Sequence, residues 1–137
     1  NGNIKAIKFI LSSLIFNKEF VDKKIDYKKL LPLYVDIIDK AKENIEASAY
    51  YDYFDVDNNA VLKDCLNFDF NEVDDKQRYF NECLWTIAKA ELEKTQKELT
   101  EEYKKCEDND QRSKIMVRMQ KISSSLYKKN LEEFYVR

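Results

Sequence analysis

The chain has 137 residues, the size of one ordinary domain, and its 44% hydrophobic and 13% aromatic residues suffice for a buried core. A single glycine and a single proline exclude turn-rich, strand-rich folds and point to an all-α protein. With 24 Lys and Arg against 26 Asp and Glu, a net charge of -2, the chain lacks the basic excess of a generic nucleic-acid binder, and the absence of histidine removes the commonest general base and metal ligand.

Ile4, Ile7, Leu11 and Leu14 recur at helical spacing and predict a first helix ending near Asn17. A broken segment of one or two short helices follows, from Lys18 to Leu31. Pro32 suits the first turn of the next helix, which places Tyr34, Ile38, Ala41 and Ile45 on one face. YYDYFDVDNN, Tyr50 to Asn59, reads as a short helix or loop that buries some of its aromatics. Asn58 or Asn59 can cap a fourth helix carrying Leu62, Cys65 and Leu66. FDFNEVDD is a connection, and Asp74 or Asp75 can cap the long helix after it.

That long helix changes character along its length. Phe80, Cys83, Leu84, Trp85 and Ile87 occupy most of its circumference, so its start is buried on several sides. Beyond Glu91 a single apolar stripe remains, flanked by Glu93–Lys97 and Glu101–Lys105 pairs, each worth only about 0.2–0.5 kcal/mol. The helix therefore leaves a globular core and projects for about eighteen residues, roughly 27 Å. Residues 107 to 114 carry no apolar side chain, and Asp108, Asn109 and Asp110 favour caps over helix interiors. Asp108 followed by Gln111 resembles a capping box. A turn near Glu107 to Asp110 and two antiparallel helices follow from this, in preference to one continuous helix. The expected organisation is a helical bundle over residues 1–88 and a protruding helical hairpin over 89–137, joined through the long helix.

The residues offer little catalytic chemistry. Cys65, Cys83 and Cys106 are too far apart for a zinc motif, and three is an odd number for a disulfide framework, so reduced, packing cysteines in an intracellular, cytoplasmic setting are expected. A calcium loop starting at Asp55 fails because Ala60 stands at the required glycine and Leu66 at the bidentate glutamate. The lone glycine, at residue 2, excludes a phosphate loop. Carboxylates lie beside lysines, as on solvated helix faces. Tyr27-Lys28-Lys29 and Tyr127-Lys128-Lys129 could stack bases, but read better as mixed-charge surface around core tyrosines. No signal peptide is visible, and the apolar run Ile10 to Phe16, broken by Ser12 and Ser13, is too short to cross a membrane. Asn1-Gly2-Asn3 reads as the start of an excised piece. No enzyme activity, metal, cofactor, membrane or direct nucleic-acid contact is expected.

After the turn, Ile115, Met119, Ile122 and Leu126 supply the seam for the long helix. Met116, Tyr127, Leu131 and Phe134 form a second face roughly 100° away, which a two-helix hairpin cannot cover by itself. With Arg118 and Lys121 beside it, this face is the expected partner-binding surface. The competing expectation is that the last helix folds back on the body, or that Asn130 starts a separate short segment. Pairing of the face with its own copy is also open.

Three stretches together resemble the C-terminal helicase-binding domain of bacterial replicative primase of the DnaG type. LSSLIFNKEFVDKKIDYKKLL is similar to the family's opening, an apolar helix, a short break and a run ending in paired leucines. YFNECLWTIAKAELEKTQKEL resembles its long helix with a core-embedded start, and DNDQRSKIMVRMQKISSSLYKKNL its return arm. The chain departs from the pattern where Lys18 or Glu19 stands in place of an early proline, and in the aromatic, acidic stretch Tyr50 to Asp57. The resemblance implies a helical-bundle subdomain with a terminal hairpin that docks on the N-terminal domain of the hexameric replicative helicase and stimulates it, coupling primer synthesis to unwinding. The catalytic primase domains would lie upstream. Two other readings stay open: the N-terminal collar domain of the helicase itself, which shares the fold, and an unrelated helical scaffold or adaptor. FYVR reads as a chain terminus, which favours primase over collar.

Overall fold

The computed structural model describes residues 2 to 137 and is all-α. Its helices are α1 (Gly2–Ile15), α2 (Tyr27–Leu30), α3 (Val35–Lys42), α4 (Tyr50–Tyr53), α5 (Ala60–Leu66), α6 (Lys76–Lys105), α7 (Asn109–Lys128) and α8 (Glu132–Tyr135). Short 3₁₀ turns at Pro32–Tyr34, Ala47–Ala49, Val56–Asn58 and Phe70–Glu72 join several of them. Among the described residues the only β pairing is an isolated bridge between Ile25 and Val136.

α1 is the hub and packs against α3, α5 and α6. It is buried on more sides than its predicted stripe implied: Phe9, Ile10 and Leu11 are inaccessible, while Ile7 and Leu14 are half-buried. Ser12 and Ser13 sit in this apolar helix because their hydroxyls donate back to the Lys8 and Phe9 carbonyls at 2.6 and 2.7 Å. Phe9 anchors an aromatic cluster, stacked on Phe20 at 5.8 Å and met at an angle by Phe68, Tyr79 and Phe80 at 5.4, 4.7 and 6.4 Å. The connection FDFNEVDD is therefore a packed segment, which folds Phe68 and Phe70 onto α1.

The predicted caps form. Asn59 accepts from the Leu62 N–H at 3.1 Å and Asp75 from the Arg78 N–H at 3.1 Å, opening α5 and α6. Asp108 opens α7 by accepting from the Asp110 N–H at 2.9 Å, one residue earlier than a capping box places the bond. α3 ends at Lys42, before Ile45, because Asn44 takes a left-handed conformation (φ 54°) that stops the helix.

α6 runs 30 residues, roughly 45 Å. Phe80, Cys83, Leu84, Ile87 and Ala88 are buried among the body helices, and Leu92 and Leu99 continue as a single buried seam. α7 returns antiparallel: Gln96 Nε2 donates to the Met119 carbonyl at 3.2 Å and to Ser123 Oγ at 2.8 Å, and the Arg112 guanidinium lies 4.2 Å over the Tyr103 ring. The ion pair on this part of α6 joins Lys104 to Glu101 at 3.4 Å, three residues apart, in place of the expected Glu101–Lys105 spacing.

The body and the two long helices share one buried cluster, which includes Leu92, Leu99, Ile122 and Tyr135 together with the α1 core. The chain end also returns to the body. Lys129, left-handed at φ 54°, closes α7, and α8 lays Tyr135 into the core. There the Asp26 N–H donates to the Tyr135 carbonyl at 2.7 Å and the Arg137 N–H to the Lys24 carbonyl at 3.0 Å.

Candidate partner-binding face

At about 100° per residue, Ile115, Met119, Ile122 and Leu126 cluster on one side of α7. They are the residues that pack on the core. The opposite side runs Ser113, Met116, Val117, Gln120, Ser124 and Tyr127, and all six are exposed. Tyr127 is 89% accessible, Val117 50% and Met116 37%. No charged side chain falls on this stripe, although α7 is otherwise strongly charged.

The sequence-predicted face does not hold together as one surface. Met116, Arg118, Lys121 and Tyr127 lie exposed on α7. Leu131 and Phe134 do not continue the helix, because α7 stops at Lys128 and the chain turns at Lys129. Both are half-buried against the core on the α8 side, with the Phe134 ring 6.4 Å from Tyr135 and Lys29 Nζ 5.9 Å above it. The fold-back of the last segment thus covers them. Lys121 leans toward that segment and pairs with Glu133 at 3.8 Å, an exposed contact worth less than about 1 kcal/mol. Tyr27 is a core tyrosine as expected, whereas Tyr127 is fully solvated.

Two features of the face went unread in the sequence. Val117 lies on the far side of the stripe from Met116, and only the helical angle reveals it as a neighbour. The charge pattern was legible but overlooked. Between Gln111 and Asn130 every charged side chain is a cation: Arg112, Lys114, Arg118, Lys121, Lys128 and Lys129. α6 opposite mixes both signs. An uncharged stripe with an exposed tyrosine is thereby bordered mainly by cations, with Asp110 at the start of α7 and Glu133 paired to Lys121 near its end, on a molecule whose net charge is -2.

Elsewhere the groups with chemical potential are quiet. All three cysteines are free thiols. Burial pushes Cys65 and Cys83 up from 9.0 to about 11, so both remain protonated at neutral pH. Among the described residues no group of three or more Cys, Asp or Glu is placed to hold a metal ion, and no helix is long and apolar enough to cross a membrane. Compared with family models, with curated proteins and with solved structures, the chain matches none.

Proposed function

We propose that this chain is a non-catalytic docking domain of a bacterial DNA primase. In this reading it binds the N-terminal domain of the hexameric replicative helicase and stimulates it, coupling primer synthesis to unwinding. The observation that carries the reading is the outer stripe of α7, with Met116, Val117 and Tyr127 exposed between flanking cations. Tyrosine is among the residues that dominate interface energetics, since it offers a large rigid surface with a polar tip. Such a stripe suits a partner helix that presents apolar residues bordered by acids. The order of the opening helix, core-embedded long helix and return arm supplies the family resemblance. The roles of Met116, Arg118, Lys121 and Tyr127 follow as partner contacts. Leu131 and Phe134 act behind them by holding the end of α7 against the body.

Calorimetric titration against the replicative helicase of the same source organism tests the reading. The native chain should bind. Tyr127→Ala and Met116→Ala should each weaken binding about tenfold or more, equivalent to about 1.4 kcal/mol, with no change in melting temperature. A native chain that ignores the helicase and instead forms a dimer abolished by Tyr127→Ala would overturn the reading in favour of a collar or scaffold.

A further inference from the structure

Between α1 and α3, beside Arg137, is a cleft of about 320 Å³, close to the lower limit of ligand pockets. Leu14, Val21, Ile38 and Ala41 give it apolar walls. Lys23, Lys42 and Arg137 also line it, and among the described residues none of the three has a carboxylate partner within 4.0 Å. No acidic side chain lines it. Asp22 accepts from the Lys24 N–H at 2.9 Å, and Glu43 pairs with Lys40 at 3.0 Å. The cleft is also built on fixed backbone. Asn17 and Asn44, both lining it, hold left-handed turns at the ends of α1 and α3, with φ of 49° and 54°. The Arg137 N–H is tied to the Lys24 carbonyl.

An apolar cleft whose lining side chains include cations and no carboxylate selects a ligand with the complementary pattern. We infer that this cleft binds a carboxylate carried on a short aliphatic body, the carboxylate meeting Lys23, Lys42 or Arg137 and the aliphatic part lying on Leu14, Val21, Ile38 and Ala41. A free fatty acid and the C-terminal end of an apolar peptide share that chemistry. A phosphate without an apolar body would leave the walls uncovered, and a neutral alkyl chain would leave the cations unpaired. The inference is independent of what docks on α7.

The test is an NMR titration of the full chain with octanoate, with octanol as the neutral control and N-acetyl-leucyl-leucine against its C-terminal amide as the peptide arm. Octanoate should shift the methyl signals of Leu14, Val21 and Ile38 and leave those of Val117 and Ile122 unmoved. Lys23→Gln and Lys42→Gln should each weaken binding about 2- to 5-fold, as for single exposed ion pairs, and added salt should weaken it further. Tighter binding of the peptide acid than of octanoate identifies a peptide end as the source, and the reverse order identifies a fatty acid. Equal binding of octanoate and octanol, shifts located elsewhere, or no shift at millimolar ligand would each overturn the inference. Both lysines are exposed residues, and unchanged melting curves confirm that the variants remain folded.

Discussion

Tyr50 is fully buried, and its hydroxyl has no hydrogen-bond partner among the described residues. Its ring stacks on Phe54 at 6.1 Å, so the ring is useful to packing while the hydroxyl gains no hydrogen bond from the described residues. Burial correspondingly pushes its ionisation up to about 12. Tyr50→Phe keeps the ring and removes the orphan group. It should stabilise the fold by about 1 kcal/mol in a denaturant melt, and a loss of stability would show that the hydroxyl has a partner. Cys65 and Cys83 predict an alkaline effect. Unfolded thiols ionise near 9.0, whereas the folded ones hold their protons to about 11. The unfolded state therefore releases protons first, so the contribution is intact below pH 9 and declines as pH rises toward 11. Melting temperature should fall over that window, and Cys65→Ala should flatten the slope. A slope identical in the variant would remove Cys65 as its source.

The termination of α7 belongs to the scale of elements. Lys129 adopts φ 54° and ψ 44°, a conformation that costs a residue with a Cβ about 1–2 kcal/mol. Its N–H and that of Asn130 both donate to the Ser125 carbonyl, which satisfies the helix end and turns the chain toward α8. Lys129→Gly should therefore raise stability by about 0.5–1 kcal/mol, read as a higher melting temperature, because glycine adopts this conformation without the Cβ clash. A lower melting temperature would mean that the lysine side chain contributes more than its backbone strain costs. The contrast between α6 and α7 is set at the same scale. α6 is buried on several sides at its start and charged in both signs at its far end, whereas α7 exposes an uncharged stripe and, beyond Asp110 in its first turn, carries only cations. Of the two, α7 is the one with surface left to give to a partner.

At the scale of the whole molecule, α8 ties the last segment to the first third of the chain. Tyr135 is buried, its carbonyl accepts from the Asp26 N–H, and Val136 pairs with Ile25. Tyr135→Ala should cost about 2–4 kcal/mol, because it opens a cavity in the shared core, where α8 packs on α2. Hydrogen exchange of the Asp26 amide should speed up in the variant. Protection retained at Asp26 would mean that the segment docks without its anchor. The same contacts bear on any truncation. Removing everything beyond Ala90 would also strip Leu92, Leu99, Ile122 and Tyr135 from the shared core. Point substitutions on the exposed stripe of α7 are thus the cleaner probe of binding.

Much of this architecture is legible in the residues alone, for a local reason. Caps and periodicity act within a few positions, so Asn59, Asp75 and Asp108 mark helix starts before any packing is known. The switch of α6 from an encircling apolar segment to a stripe is likewise written in Phe80 to Leu99. The turn between α6 and α7, at the head of the apolar-free stretch 107–114, separates two helices for the same reason. What the sequence leaves open is how much of each apolar side chain the rest of the molecule covers. Leu131 and Phe134 have the same chemistry whether they extend an exposed face or seal a joint, and only the left-handed turn at Lys129 and the docking of Tyr135 on the body decide between them. The cleft between α1 and α3 has the same origin. Lys23, Lys42 and Arg137 are scattered along the chain, and they share one cavity only because the chain end crosses back to Lys24. Local chemistry sets the elements, whereas long-range burial decides which of their surfaces remain available for function.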